Sequence, residues 1–418
     1  MPPIIERGLL WSEKYIKTDM VYLARSGFWL LFGQVTTLLS VLALSIVFAN
    51  FLPKETYGTY KYILSLTGIF SIFTLPGMTT ALIRATARGF DRSIILATKT
   101  RARYGILGLI VGLCAAAYYY VVGNSTLSLG LLLISFFLPV FDTFGTYNGY
   151  LQGKQQFRRQ ALMSLFVQTV ASGALIAVVY FSGNLYVILA TYLALYTLLR
   201  FVSWYWTVRH DEMKAGADPE MVPYAKHLSV MSVLGLIASQ ADLVLLFHFL
   251  GSAEVAIYAI AIAPAEHIKS IIATANDSLL PRLARHSEKA VRQSILLKCV
   301  LLFTVVAVLV GLYILFASSA FAVFFPKYTD AVFISQIFSL SLLSTFFTPM
   351  NIFLQAHGKI KEQYYANTLT YVFQIISMTA GVIFFGLIGL VVARIMTRYL
   401  FGLLIFLFYR LSARTDIA

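Results

Sequence analysis

Along the chain, apolar residues gather into blocks of about 20 to 27, each closed by a short polar break, and that length crosses a hydrocarbon core of about 30 Å as a helix. The short alternating segments that membrane strands require are not visible. The blocks predict twelve helical spans, near 26–51, 58–83, 104–123, 127–152, 161–182, 185–208, 227–250, 253–280, 298–321, 329–356, 364–385 and 387–410. The expected fold class is therefore an all-α integral membrane protein.

The breaks alternate in charge. Lys and Arg crowd the leader (Arg7, Lys14, Lys17, Arg25), the second-to-third connection (Arg84, Arg88, Arg92, Lys99, Arg101, Arg103), the fourth-to-fifth (Lys154, Arg158, Arg159) and the eighth-to-ninth (Arg282, Arg285, Lys289, Arg292). The opposite connections carry only Lys54 and Lys327. Basic residues favour the cytoplasmic side, so both termini are expected there, in a plasma membrane. The opposite loops are too short to fold, which disfavours a membrane glycosyltransferase or polymerase with an outer catalytic domain. The leader, residues 1–24, mixes Ile, Leu, Trp and Tyr with basic residues and suits either an interfacial helix or a disordered tail. It has no short apolar core ending in small residues, so no cleaved signal is expected.

Composition agrees with this reading. The chain is 59% hydrophobic and 12% charged, against roughly 25% charged in soluble domains, with a mean hydropathy of +0.80. The net charge of +14 follows the topology and does not call for nucleic acid. Cys114 and Cys299 lie in unrelated apolar blocks and suggest neither a disulfide nor a metal site. No Walker phosphate loop is present, so this chain binds no ATP of its own.

The chain also repeats itself. A shift of 198 residues lays Phe51, Leu52 and Tyr60 on Phe249, Leu250 and Tyr258, Leu82 and Arg84 on Leu280 and Arg282, and Arg200 on Arg398. The phrase "NGYLQGKQ" at Asn148 returns as "NIFLQAHGK" at Asn351. Two six-helix lobes of like orientation follow, at 25–208 and 227–418, joined by a polar hinge at 209–226; parallel repeats of this kind suit alternating access around a central cavity. Within the phrase, Asn148 with Gln152 and Asn351 with Gln355 share a helix face. They are expected to tie each span to a neighbour, with headgroup contact as the alternative.

The stretches "LPKETYGTYKYILSLTGIFSIFTLPGMTTALIRATAR", "YLQGKQQFRRQAL" and "SLLPRLAR", in this order, resemble the polysaccharide and oligosaccharide lipid flippases of the multidrug/oligosaccharidyl-lipid/polysaccharide (MOP) exporter superfamily. That resemblance implies transport of a polyprenyl-pyrophosphate-linked oligosaccharide from the inner to the outer leaflet. A drug or cation antiporter of the same superfamily is the alternative. Expected partners are the lipid-linked oligosaccharide, membrane lipids and polysaccharide assembly proteins. No cofactor is expected; a proton, sodium or the membrane potential could drive the cycle.

Ionisable residues inside spans cost about 2.5–3.5 kcal/mol each at the helix centre, so they face a cavity or a partner. Arg394 and Arg398, one turn apart in "VVARIMTRYL", are the leading candidates for an anionic headgroup, since arginine forms forked bonds to phosphate. Asp142, Asp242 and Glu266 are their candidate partners, and Asp242 is also a candidate for ion coupling. Glu266 and Lys269, three apart, could pair locally. Arg25, Arg84 and Arg282, at basic span ends, could attract pyrophosphate or simply anchor the helices. Pro139, Pro264 and Pro349 mark bends in spans four, eight and ten. No catalytic or metal-ligating residue stands out.

Overall fold

The computed structural model describes residues 20–213, 216–277 and 288–415. The expected leader, Arg282 and the middle of the hinge (214–215) lie wholly or largely outside the described residues, as does the side chain of Arg25, whose backbone belongs to the first helix.

The helices run α1 (Met20–Phe51), α2 (Lys54–Phe70), α3 (Met78–Ala87), α4 (Ser93–Val121), α5 (Ser125–Phe141), α6 (Thr146–Gly153), α7 (Phe157–Phe181), α8 (Leu185–His210), α9 (Met221–Leu250), α10 (Ser252–Asp277), α11 (Glu288–Phe324), α12 (Ala331–Ser339), α13 (Thr348–Ala356) and α14 (Ile360–Thr415). The described residues contain no strand. Ten helical segments are long and apolar enough to cross a bilayer, and the bent pair Lys54–Thr74 with Met78–Ala87 makes an eleventh.

The twelfth span is hidden in α14. At 56 residues it would extend about 84 Å if straight, more than twice a bilayer core. It turns back at Gly386, whose φ of 60° and ψ of −143° are not helical and belong to a region essentially reserved for glycine. The returning arm packs so closely that a Cβ on Gly381 would lie 2.5 Å from the Gly389 carbonyl oxygen. The sequence reading divides spans eleven and twelve at this glycine.

Two further spans are broken internally. α5 contains Pro139 and ends at Phe141, followed by a 3₁₀ turn, Thr143–Gly145, before α6. In the second half, α12 passes through the 3₁₀ segment Leu340–Phe347 into α13, with Pro349 in its first turn. Proline lacks the N–H a helix needs, so each break leaves carbonyls that other groups must satisfy.

Small residues set the closest packing. Gly105, Gly108 and Gly112 line one face of α4; a Cβ on Gly105 would come within 2.6 Å of the Pro139 backbone on α5, and one on Gly112 within 2.3 Å of the Ser135 hydroxyl. Without a hydrophobic drive between helices in lipid, such contact supplies the association.

The lobes meet along α1, α2 and α3 from the first half and α9 and α10 from the second. Tyr62 stacks on Phe247 at 3.8 Å. A Cβ on Gly58 would fall 1.7 Å from the Ser252 carbonyl oxygen. Gln34 donates to Ser270 at 2.6 Å, and the Gly77 amide to Ser229 at 3.0 Å. At the sparsely charged end, Asn50 donates to the Phe324 carbonyl at 2.9 Å and Lys54 pairs with Asp330 at 3.3 Å.

Two expectations change here. Arg84 lies inside α3, and Lys99, Arg101 and Arg103 are helical because α4 starts at Ser93, so none of them forms a connection. The connection between α8 and α9 is likewise shorter than 209–226, since α8 continues to His210 and α9 begins at Met221. Its Asp218 is buried, takes Arg88 as an ion-pair partner at 3.2 Å and donates its amide to Ser93 at 3.0 Å.

Candidate functional site

The charged residues of the second half converge. Arg394, on the returning arm of α14, donates to Asp242 of α9, to the Tyr258 hydroxyl, and to Glu266 of α10 at 2.8 Å. Arg398, one turn on, donates to the same Glu266 oxygen and to the Ser341 hydroxyl at 2.7 Å. Tyr258 donates to Asp242 at 2.7 Å, and the Phe338 ring lies 5.6 Å and 4.7 Å from the two guanidinium carbons. Spacing of four on a helix aims both arginines at one side, and two carboxylates from neighbouring helices hold them there. No ion pair joins Glu266 to Lys269.

These arginines border an open cavity of about 450 Å³ lined by α9, α10, α13, both arms of α14 and the 3₁₀ segment. Lys269 joins them in its wall, with hydroxyls and amides that include Asn351, Asn367 and Gln374. Among the described residues, the lining contains three basic side chains and no carboxylate. Asp242 and Glu266 stand behind the arginines, so the surface offered to the cavity is cationic and rich in hydrogen-bond donors. A phosphate-like anion could accept from arginine forks there.

Asn367 and Gln374 were not singled out in the sequence. Their signal is a polar stripe through the apolar block "YYANTLTYVFQ", with Asn367, Thr370, Tyr371 and Gln374 recurring on one helix face. Gln374 also donates to the Ala238 carbonyl of α9 at 2.8 Å.

The first half builds a different network. Asp142 lies at the break after α5, away from Arg394 and Arg398, and pairs with Arg200 of α8 at 3.2 Å. Arg200 also donates to the Phe141 carbonyl at 2.9 Å. Arg101, buried, donates to the Asp142 carbonyl at 3.2 Å and to Thr79 at 2.9 Å. Two guanidiniums thus satisfy the carbonyls that the broken helix leaves open.

The repeated asparagines occupy matching places. Asn148 accepts from Ser164 of α7 at 3.2 Å, and Asn351 accepts from Gln363 at the start of α14 at 3.1 Å. Gln152 and Gln355 are exposed. Arg84 is exposed on α3, its guanidinium 4.8 Å from the Tyr224 ring. No group of His, Cys, Asp and Glu suited to a metal occurs among the described residues, and Cys114 and Cys299 are free thiols.

A family model described as "Polysaccharide biosynthesis protein" matches residues 23–287. No curated protein matches. Among solved structures, the MATE protein in complex with MaD5 superposes with a TM-score of 0.65 at 15% identity, covering 94% of this chain and 96% of that one. An inward-facing multidrug resistance MATE family transporter of the MOP superfamily gives 0.65 at 15% identity, with 91% and 95% covered. A MOP superfamily transporter from Pyrococcus furiosus, whose binding pocket is described as reversed in polarity, gives 0.64 at 15% identity, with 94% and 95% covered. At such identities the likeness speaks for the fold, a twelve-helix bundle of two lobes.

Proposed function

The chain belongs to the polysaccharide biosynthesis protein family, and on that premise we propose that it is a flippase carrying a polyprenyl-diphosphate-linked oligosaccharide from the cytoplasmic to the outer leaflet by alternating access. The observation that carries this reading is the cavity wall of Lys269, Arg394 and Arg398, without a facing carboxylate among the described residues. A diphosphate brings two or more negative charges, and forked arginine bonds suit it. The hydroxyls and amides around the arginines suit the first sugar. At about 450 Å³ the cavity has room for a headgroup and not for a long glycan, whose remainder would extend between the lobes.

The remaining assignments belong to the same proposal. The protein would sit in the plasma membrane with both termini cytoplasmic, its lobes would be residues 25–208 and 227–418, and a proton, sodium or the membrane potential would drive the cycle. Arg25, Arg84 and Arg282, on the basic side, would draw the diphosphate in.

The superfamily's multidrug members supply the second reading, export of an organic cation. A cation entering this cavity would meet three positive side chains, which opposes it. The test is transport in proteoliposomes by wild type, Arg398→Ala and Arg398→Lys, offered either a fluorescent polyprenyl-diphosphate oligosaccharide or a cationic dye. Movement of the lipid by the wild type and its loss in Arg398→Ala is the expected result. Dye transport with no lipid movement would replace this function with the second reading.

A further inference from the structure

A groove of about 720 Å³ lies in the other half, on the surface shared by α1, α7 and α8. Its wall is mostly apolar, formed by Trp29, Leu162, Met163, Phe166, Val202 and Trp206. Leu162, Phe166, Val202 and Trp206 are exposed, which on spanning helices means exposed to lipid. From Arg158 to Phe166 the groove follows about 12 Å of α7.

One end is strongly basic. Arg159 is held by Asp211 at 2.5 Å and Gln156 at 3.1 Å, both through Nη1, and its guanidinium carbon lies 4.4 Å from the Trp206 ring centroid. Its Nε and Nη2, the edge that forks onto a phosphate, are buried and have no hydrogen-bond partner. Arg158 is exposed, makes no ion pair among the described residues, and lies 5.4 Å over the Trp29 ring. Two tryptophans flanking two arginines at the end of a span is the arrangement of a membrane interface.

We propose that this groove binds an anionic phospholipid of the leaflet at the basic end of the bundle, its phosphate on Arg158 and Arg159 and one acyl chain along Leu162 and Phe166. A lipid suits the groove better than a protein because the apolar wall faces hydrocarbon and the basic end reaches headgroup depth. The site is in the opposite half from the Arg394 cavity, and lipid binding there does not depend on which substrate that cavity takes.

The test uses the full chain in phosphatidylcholine vesicles containing bromine-labelled phosphatidylglycerol, or in matched vesicles with the label on phosphatidylcholine, with tryptophan emission as the readout. Stronger quenching by labelled phosphatidylglycerol is expected, and Trp29→Phe with Trp206→Phe should remove the selective part. Arg158→Gln should lower the preference about fivefold, and Arg159→Gln by a similar factor. Arg158→Gln leaves the Arg159–Asp211 pair intact, so its result does not depend on fold loss. Equal quenching by both lipids, a preference unchanged in Arg158→Gln, or selective quenching by a labelled polyprenyl phosphate instead of phosphatidylglycerol would each overturn the proposal.

Discussion

Arg200 and Arg398 stand 198 positions apart, and each reaches from the last span of its half to the break in the fourth span of that half. Arg200 bonds to the Phe141 carbonyl and the Asp142 carboxylate, and Arg398 to Ser341. The duplicated architecture therefore keeps one contact and changes its surroundings. In the first half the carboxylate is at the break itself; in the second it comes from α10, and the arginine borders a cavity.

Arg394→Ala would leave Asp242, almost wholly buried, without its cation. A loss of about 3–5 kcal/mol is expected for breaking such a pair. The double variant Arg394→Ala with Asp242→Asn should lose less than the single one, because the stranded charge goes with it. Thermal unfolding of the four proteins of the cycle in detergent measures this, and strictly additive losses would contradict the pairing.

Gly58 presses on the backbone of Ser252 with no room for a side chain. Gly58→Val should force α2 from α10 and open the sparsely charged end of the lobe interface. With Ser252→Cys as reporter, labelling by a bulky thiol reagent should rise severalfold over the Gly58 background. Unchanged labelling would mean that the helices part elsewhere.

Gly386→Ala puts a Cβ into a conformation that costs about 1–3 kcal/mol for other residues. Gly381→Val should cost more, since its side chain would strike the Gly389 backbone. Both are read as lowered midpoints in thermal unfolding, with Gly381→Val the lower of the two.

Arg101→Gln removes donors from the Asp142 carbonyl and Thr79 inside the first half. About 1–3 kcal/mol of destabilisation is expected from the unmade bonds. Arg103→Gln, exposed two residues away on the same helix, should stay within about 0.5 kcal/mol. Equal losses would place Arg101 at the surface.

That contrast shows where the sequence could be read and where it could not. Apolar block length located the spans, and the last run, too long for one crossing, was divided at Gly386, where the structure turns back. Arg101 was misplaced because basic residues near a polar break look alike in one dimension. Whether a helix begins before or after them is decided by tertiary packing of Ser93, Ala97 and Arg101 against their neighbours. Although Arg200 was read only as a repeat match, most of the intramembrane charges were also plain, since each is rare in hydrocarbon. Their pairing was not: nothing in the order of residues says that Asp142 meets Arg200 while Asp242 and Glu266 meet Arg394 and Arg398. The polar stripe from Asn367 to Gln374 was present but diluted by the aromatic residues around it.

The carboxylates behind Arg394 and Arg398 also bear on speed. On the proposed function, an arriving anion would compete with Asp242 and Glu266 for the same donors, so it would gain only the difference between two sets of bonds, and its well would stay shallow. A carrier must release what it has held. Guanidiniums that always have a resident acceptor to fall back on would let such an anion go without first being stranded, and turnover of the proposed flippase would then be limited by the motion of the lobes instead of by escape from the site.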